Sequence, residues 1–529
     1  MRMQVPRVLS RTQRVALPGQ TRNDAGGFAY PLEPRQQLER FLILGTEGGT
    51  YYVSEQRLTL ENVKAVLELL YQEPAYVLER TATISEQGRA YKNDPALFVL
   101  ALALASGRDA VRTLALEAMP RIVRTGTHLF TFVDYLTQLR GWGRAARRAV
   151  AHWYQARDLR ELAYQVTKYR QRYGWAHRDL LRLAHPKADT AERNALYRYI
   201  LTREVSADLP AEVGAYLEAV ERLNAPDLPL PEAARLIRDY ALPREVVPTH
   251  LLTSAEVWDA LLPAMPMTAL IRNLATMTRV GLLTPDSEAT HFVVAQLTDR
   301  ARLRQARVHP LQVLAALVTY ERGRGGRGSG VWEPVPAIVH ALNGAFYATF
   351  ENVAPTGKRL VLALDISGSM SWGNVGGIVG LTPRLASAAL ALVTLNAEQE
   401  AHVVGFSHQL MPLKLKPDMP LERAVKYLER LPFGATDCAL PMLWALERGV
   451  AADAFVIYTD SETWYGEVHP VEALRMYREA TGIPARLVVV GMLANPFSIA
   501  DPNDAGMLDV VGFDPSTPSA IAEFVQGNL

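Results

Sequence analysis

Three oxygen-bearing side chains stand at every second position in the stretch Asp365-Ile-Ser367-Gly-Ser369. The preceding residues 359–364 form a short apolar run, typical of a strand buried on both faces. Ligands of open α/β sheets collect at the carboxyl ends of the strands, so this stretch lies where a ligand would bind. Gly368 eases the turn between the side chains. One carboxylate and two hydroxyls indicate a hard-oxygen site for a divalent cation.

Two later segments offer the further oxygens that such a site needs. Thr436 lies in a turn ahead of an apolar helix, and Asp460 follows the apolar run 455–459. The three segments resemble the metal-ion-dependent adhesion site of von Willebrand factor A domains, which consists of Asp-x-Ser-x-Ser followed by a Thr and then by an Asp. The resemblance implies that Asp460 acts through a water and that the oxygen ligands, direct or through water, are Asp365, Ser367, Ser369 and Thr436.

The small number of protein oxygens, with water retained on the ion, favours Mg²⁺ over Ca²⁺ as the cofactor. The alternative is a set of polar loops that bind no metal. Covalent catalysis needs a base close to a nucleophile, and Ser367 has no histidine near it in the sequence. Cys438 opens an apolar helix, which is typical of a small buried residue. A two-metal nuclease would need more carboxylates. We therefore expect cation binding without catalysis.

Apolar runs and helical stretches alternate in the last third of the chain. The runs are residues 359–364, 402–406, 455–459 and 487–490, and the helical stretches between them are residues 386–395, 421–431 and 471–480. This alternation predicts an open, mostly parallel, doubly wound α/β sheet. We assign it to a domain of residues 358–529.

Residues 1–357 are dominated by amphipathic helices, with little strand signal. Apolar stripes at helical spacing are Leu60, Val63, Leu67 and Leu70, and, after Pro266, Leu270, Leu274 and Met277. Helix, short turn and helix in succession are typical of HEAT-like helical repeats, although the sequence has no sharp period. The basic, glycine-rich residues 323–330 are either a linker or a loop that contacts RNA.

The charge of the chain is distributed unevenly, although its net charge is only +1. Residues 359–529 contain 11 Lys and Arg against 19 Asp and Glu, whereas the first 358 residues contain 45 against 36. A basic first part and an acidic last part indicate different partners. The densest positive stretch is residues 140–182, in which arginine predominates and favours bidentate contact with phosphate.

The charges in this stretch follow a helical pattern. Arg144, Arg147 and Arg148 share one predicted helix face, and the apolar side chains lie on the other. Lys168 and Arg172 are four residues apart, so we expect them to project side by side from one helical turn. Such a surface can follow a nucleic-acid backbone, with an affinity that falls as salt rises. The alternative is a merely solvated helix face. The interleaved aromatic residues either stack on unpaired bases or belong to the core: Trp142, Tyr164, Tyr169, Tyr173 and Trp175.

Residues 168–185 resemble the signature of the Ro autoantigen, or TROVE-domain, family, and the chain looks like a bacterial member. The likeness extends to residues 41–52, 141–144, 306–310, 355–358, 434–441 and 506–509. It implies a ring of HEAT-like repeats closed by the von Willebrand factor A-like domain. It also implies that Lys168, Arg172 and His185 contact small noncoding Y RNA on the outside of the ring, and that single-stranded 3′ ends of misfolded RNAs enter a central hole.

We therefore expect a non-enzymatic RNA-binding scaffold that acts in RNA quality control, maturation or decay, with an exoribonuclease as a partner that the resemblance suggests. The candidate RNA-binding residues are Arg144, Arg147, Arg148, Lys168, Arg170, Arg172 and His185. The alternative is a protein-interaction scaffold. The chain has one cysteine, an N-terminus unlike a secretory signal and no apolar run long enough for a bilayer, which predicts a cytoplasmic protein without membrane contact. We also expect a monomer.

Overall fold

The computed structural model describes residues 12–46, 55–90, 92–324, 330–350, 355–373, 375, 381–398, 400–417, 419–432, 434–514 and 516–528. Half of the string 41–52, namely residues 47–52, and the middle of the glycine-rich loop lie outside these residues. The described ends of that loop are joined by a bridge between Arg324 and Val331.

Helices make up about two thirds of the described chain before residue 350. They are α1 (Pro34–Leu44), α2 (Glu55–Gln72), α3 (Pro74–Gln87), α4 (Asp94–Ala105), α5 (Asp109–Ile122), α6 (Gly126–Arg140), α7 (Arg144–Gln155), α8 (Leu159–Lys168), α9 (His177–Ala184), α10 (Ala191–Thr202), α11 (Ala211–Leu223), α12 (Leu230–Tyr240), α13 (Ala255–Leu261), α14 (Met267–Arg279), α15 (Glu288–Thr298), α16 (Arg300–Gln305), α17 (Pro310–Glu321) and α18 (Pro336–Ala348). Four short strands accompany them: β1 (Thr21–Arg22), β2 (Phe28–Pro31), β3 (Gln171–Arg172) and β4 (Trp175–Ala176). Short 3-10 helices span Arg244–Val246, Leu251–Thr253 and Leu262–Ala264.

The apolar stripes predicted α2 and α14 correctly, but the face predicted for α2 was only partly right. In α14, Leu270, Leu274 and Met277 are buried as expected. In α2, Leu60 and Leu67 are 62% and 46% exposed, and the buried face is formed by Leu58, Val66, Leu69 and Leu70. Because α2 carries leucines at two alternative sets of helical positions, only packing against its neighbours decides which set is buried.

The helical array returns to its own beginning. Arg89, just after α3, accepts a 3.0 Å hydrogen bond on its carbonyl oxygen from Nε2 of His309, which caps the start of α17. The Arg89 guanidinium also donates at 2.8 Å to Asp514 in the last domain. Burial lowers the pKa of His309 to about 4, so this junction contains a neutral imidazole. The first helices, the last helices and the C-terminal domain therefore meet at one point.

The residues after 355 form the predicted doubly wound sheet. Its elements are β5 (Leu360–Asp365), a 3-10 turn (Ser369–Ser371), α19 (Pro383–Ala397), β6 (Ala401–Phe406), β7 (Leu410–Pro412), α20 (Leu421–Glu429), α21 (Leu440–Arg448), β8 (Ala454–Thr459), α22 (Pro470–Thr481), β9 (Arg486–Gly491), β10 (Phe497–Ser498), β11 (Met507–Val511) and α23 (Thr517–Gln526). The strand order is β11-β9-β8-β5-β6-β7, and only β7 is antiparallel to its neighbour.

Alternate residues of the central strand β5 face two different cores. Leu362 belongs to the core that includes α19 and α20, whereas Val361 and Ala363 belong to the core that includes α21 and α22. A strand buried on both faces must be apolar at every position, which is why this sequence shows no alternation of polar and apolar residues. The arrangement leaves the carboxyl ends of β5 and β8 open for polar loops.

The first described residues pack on this last domain, and Asp24 also forms a 2.9 Å ion pair with Arg57 of α2. The strand β2 pairs with β10, with Tyr30 opposite Ser498, and His469 Nε2 donates to the carbonyl oxygen of Val15 at 2.8 Å. The linker on the other side is also anchored, since the Thr356 hydroxyl donates to Glu398 at 2.8 Å. The predicted division of the chain at residue 357 stays a prediction.

Candidate cation site and candidate RNA-binding surface

The Asp-x-Ser-x-Ser loop begins at the last residue of β5, and the side chains of Asp365, Ser367 and Ser369 are buried. Asp365 Oδ1 accepts the backbone N–H of Ser367 at 2.9 Å, and its Oδ2 accepts the Thr459 hydroxyl at 2.6 Å. The hydroxyls of Ser367 and Ser369 are 3.1 Å apart. Thr459 ends β8, the neighbour of β5, so adjacent parallel strands bring the first and third candidate segments together. This role of Thr459 was not predicted from the sequence.

Backbone hydrogen bonds draw the second segment into the same place. The N–H of Gly368 donates to the carbonyl of Gly434 at 3.2 Å. The carbonyl of the buried Thr436 accepts the N–H groups of Trp464 at 3.2 Å and Tyr465 at 3.1 Å. All five predicted ligand residues therefore lie in one buried cluster, while their binding of a cation stays a prediction.

The carboxylates of this cluster are buried, and the charge of Arg384, whose buried guanidinium donates to the carbonyls of Ile366 and Ser367, offsets only part of the effect of burial on Asp365. The pKa of Asp460 is raised to about 7 by burial and by the nearby charge of Asp365, against the effect of the Ser369 hydroxyl. Burial likewise raises the pKa of Asp365. Asp460 Oδ1 accepts the N–H of Glu462 at 3.0 Å, but its buried Oδ2 has no hydrogen-bond partner among the described residues. Two buried carboxylates and an unpartnered oxygen fit a divalent cation.

This donor set differs from metal sites built from histidine, cysteine and carboxylates. Within the described ranges no three His, Cys, Asp or Glu side chains come together as a metal site. The candidate cluster has two carboxylates and three hydroxyls, so it matches a hard, partly hydrated ion.

Residues 12–31 cover one side of the site, which the sequence did not indicate. Gln13 is buried and donates from Nε2 to Asp437 Oδ1 at 2.8 Å. The N–H of Ala25 donates to Glu462 Oε2 at 2.9 Å. Contacts over more than 400 positions of sequence carry no local pattern, so reasoning from the sequence missed them.

The first part of the basic stretch forms an exposed surface on α7 and α9. Arg144, Arg147 and Arg148 are exposed on α7, whose opposite face is buried, as predicted. Arg178 and Arg182 are exposed on α9, which packs against α7. None of these five side chains has a hydrogen bond or an ion pair with a described residue. They form what we call the arginine surface.

Lys168 and Arg172 do not lie on one helical turn, so that prediction was wrong. α8 ends at Lys168, and Arg172 belongs to the hairpin of β3 and β4. Tyr173 and Gly174 connect its strands with φ of 52° and 77°. Positive φ at both residues of a two-residue loop is the geometry of a tight hairpin and is incompatible with a helix.

The side chains around the hairpin differ in accessibility. Lys168 is half-buried, and its ammonium donates to the Tyr164 hydroxyl at 3.0 Å. Arg172 is exposed, and its guanidinium lies 4.8 Å from the centre of the Tyr173 ring. Arg170 is exposed as well. His185 is exposed at the end of α9, where its φ of 47° ends the helix. The remaining aromatic residues are divided, since Tyr173 is exposed and Trp142 stacks on Trp175, with 6.3 Å between ring centres.

Some positive residues of the stretch serve the fold instead. Arg157 is buried and donates to the carbonyl oxygens of Trp153, Val123 and Arg124. Arg160 forms a 2.8 Å ion pair with Glu212. The net charge of a segment therefore overstates the charge available to a partner.

Comparison with known proteins identifies both halves of the chain. The TROVE domain family model matches residues 21–225 and 239–318, and the model described as Ro60 vWA domain matches residues 359–525. The chain belongs to the Ro family. The expected combination of a helical region with a von Willebrand factor A-like domain is thereby confirmed.

Relatives of this Ro-family chain resemble it over almost its full length. The RNA-binding protein RO60 of Deinococcus radiodurans is 44% identical over 515 residues, which cover 96% of each chain. The protein of the same name from Caenorhabditis elegans is 38% identical over 587 residues, covering 97% of this chain and 91% of the relative. The crystal structure of the Deinococcus radiodurans Ro (Rsr) protein has a TM-score of 0.71 at 42% identity, and the match covers 94% of this chain and all of that one.

Among the helices of the described residues, none is both long and apolar enough to cross a lipid bilayer.

Proposed function

We propose that this Ro-family chain is an RNA-binding scaffold. The observation that carries the proposal is the arginine surface, in which five exposed guanidinium groups have no acidic partner among the described residues. Arginine contacts phosphate in a bidentate manner, and unpaired positive charge on one face attracts a polyanion. The relatives named above are called RNA-binding proteins, which supports the same assignment.

The proposed RNA ligands are of two kinds. Small noncoding Y RNA binds the outer basic surface, through the arginine surface together with Lys168, Arg170, Arg172 and His185. Single-stranded 3′ ends of misfolded or structured RNAs enter a central hole. In this role the protein is a cytoplasmic monomer that presents RNAs for quality control, maturation or decay, with an exoribonuclease as a partner.

The scaffold carries out no covalent chemistry in this proposal. Cys438 is fully buried, and burial raises the pKa of its thiol well above the usual range, so it is not a thiolate nucleophile. Incubating labelled RNA with the protein and Mg²⁺ is expected to leave the RNA intact. Catalytic cleavage that is lost in an Asp365→Asn variant would contradict this part of the proposal.

A mobility shift with a small structured RNA at two salt concentrations tests the RNA proposal. Replacing Lys168 and Arg172 together with alanine should weaken binding and reduce the slope of log affinity against log salt by roughly 1–2, because about 0.9 is lost per phosphate contact on a duplex. The matched control is Arg198→Ala with Arg238→Ala, since both arginines are exposed and already paired with Asp208 and Asp259. RNA affinity that is unchanged in the first variant would count against these hairpin residues.

We further propose that the cation site binds Mg²⁺ through Asp365, Ser367, Ser369 and Thr436, with Asp460 acting through a water. The ion would neutralise the two buried carboxylates and offer an open position for an oxygen of a partner. The chain's own groups fix the loop: the Thr459 hydroxyl and the Ser367 N–H hold the two oxygens of Asp365.

Mg²⁺ is therefore expected to stabilise the folded protein. At about 100 times its Kd, the ion should add about 2.7 kcal/mol to the free energy of unfolding and raise the melting temperature. Asp365→Asn should abolish this gain. Glu447→Gln, which removes one exposed carboxylate of α21, should retain it. A melting temperature of the wild-type chain that does not respond to Mg²⁺ would argue against the site.

One observation favours the alternative of a protein-interaction scaffold. Trp372 and Tyr465 lie beside the cation site and are 60% and 43% exposed. Exposed aromatic side chains are typical of the centres of protein interfaces. If replacing Lys168 and Arg172 left RNA affinity unchanged while a protein bound in a Mg²⁺-dependent manner, this second function would replace the first.

A further inference from the structure

A chain of buried side chains leads from α1 to the backbone of Asp460. Arg40 of α1 is 1% exposed and forms a 2.5 Å ion pair with Asp509 of β11. Its Nη1 donates to Asn495 Oδ1 at 3.0 Å and to the Asn495 carbonyl at 3.2 Å. Asn495 Nδ2 donates in turn to the carbonyl oxygen of Asp460. A charge from the helical region thus reaches the candidate cation site through a single asparagine.

The sheet is shaped to admit this arginine. Gly491 ends β9, and a Cβ atom at this position would lie 2.5 Å from Arg40 Cζ. Any larger residue would displace the guanidinium from the strand end. Arg40 is therefore held by contact with the last domain on several sides, and its orientation fixes that of the Asn495 amide.

The loop that carries Asp460 is also held from its other side. Asn23 Nδ2 donates to the carbonyl of Thr463 at 2.7 Å, and the N–H of Ala25 donates to Glu462 Oε2 at 2.9 Å. Both donors come from residues 12–31. The loop 460–463 is thus placed by residues of the first part of the chain as well as by β8, the strand before it.

We propose that Arg40 and Asn495 are positioning residues for the cation, and that they couple the helical array to cation binding. The proposal rests on the Mg²⁺ site proposed above. By fixing the backbone of Asp460, the two residues fix the direction of its carboxylate, whose Oδ2 has no partner among the described residues. A loop that is already ordered loses less conformational entropy when the ion binds, so its affinity is higher. The coupling is reciprocal, so the bound ion must strengthen the contact of α1 with the last domain by the same factor.

Calorimetric titration of the full chain with Mg²⁺ tests the coupling. Arg40→Met with Asp509→Leu removes the donor to Asn495 without leaving a buried charge unpaired. We expect this double variant to bind Mg²⁺ at least about fivefold more weakly, which is the low end of typical couplings between sites. Asn495→Ala should weaken binding similarly, and combining the changes should cause little further loss, because the residues act in one chain of contacts.

The matched control is Arg478→Met with Asp504→Leu. This ion pair, at 2.6 Å, belongs to the same domain but lies near the start of β9, away from the cation site. We expect wild-type affinity for Mg²⁺. Equal weakening in the control would show that the loss reflects general destabilisation and would overturn the proposal.

A second measurement follows from the reciprocity. Mg²⁺ should slow hydrogen exchange at the end of α1 in the wild-type chain by the same factor, and should do so much less in Asn495→Ala. The proposal is overturned if Asn495→Ala and the Arg40–Asp509 double variant both bind Mg²⁺ as the wild type does. Should the double variant not fold, Asn495→Ala alone decides. A wild-type chain that binds no Mg²⁺ would instead contradict the cation site itself.

Discussion

Replacing Arg144, Arg147 and Arg148 together with alanine is expected to weaken binding of a small structured RNA by about 100-fold at low salt, on the basis of roughly 1 kcal/mol per lost phosphate contact. The three side chains are exposed, and none has an acidic partner among the described residues. The slope of log affinity against log salt should fall by about 2–3, at about 0.9 per phosphate contact. A mobility shift at several salt concentrations measures both quantities.

The fold should not suffer from this substitution. Arg144 is the first residue of α7, and positive charge near a helix N-terminus is unfavourable. Alanine also has the highest helix propensity. The melting temperature of the triple variant should therefore match that of the wild type, so that a loss of RNA affinity is a loss of contacts.

A matched triple variant separates local contacts from net charge. Arg198, Arg222 and Arg238 are about half exposed, and each is paired with a carboxylate. Changing these three to alanine removes the same total charge from other helices. Should both triple variants lose affinity equally, the arginine surface would have no special role. Full affinity of the first variant would place the RNA elsewhere.

Asp509→Leu is expected to destabilise the protein by about 3–5 kcal/mol, because it leaves Arg40 buried without its counter-charge. Burial raises the pKa of Asp509, and the Arg40 guanidinium offsets part of this effect. Each charge of the pair therefore stabilises the other. Chemical denaturation followed by tryptophan fluorescence measures the loss. The change also removes a contact between α1 and β11. We therefore expect α1 to separate from β11 before the whole protein unfolds.

The double variant Arg40→Met with Asp509→Leu is the control for this prediction. With both charges replaced by apolar groups of similar volume, most of the lost stability should return, since neither partner is left unpaired. If the Asp509→Leu variant were as stable as the wild type, solvent would have to reach Arg40, in conflict with its 1% exposure.

The candidate cation site could be predicted because its three segments follow from topology. Asp365 and Asp460 come directly after two adjacent parallel strands, β5 and β8, and parallel strands end at the same edge of a sheet. Thr436 needed the resemblance as well, since no strand precedes it directly. Asn495 and Arg40 could not be predicted, because they meet across 455 positions and neither stands in a pattern of its own.

The basic surface could be predicted only in part, for a similar reason. The face of α7 followed from the helical period, which is local. The hairpin after α8 could not be predicted in this way, because the spacing of Lys168 and Arg172 suits a helix. In the structure, Tyr173 and Gly174 adopt positive φ and turn the chain. In α2 the helix was predicted but its buried face only in part, since the surrounding helices choose between two sets of leucines.

Residues 12–31 leave the ribosome early, yet the surface that they cover is made late. Gln13 and Asp437 are 424 positions apart, so at ordinary elongation rates of about 5–20 residues per second their contact waits roughly 20–90 s. During that interval β2 can pair with β1, but the edge that later pairs with β10 is open to other nascent chains. Translation speed and chaperone supply should therefore influence the yield of this protein more strongly than that of one whose early segments fold at once.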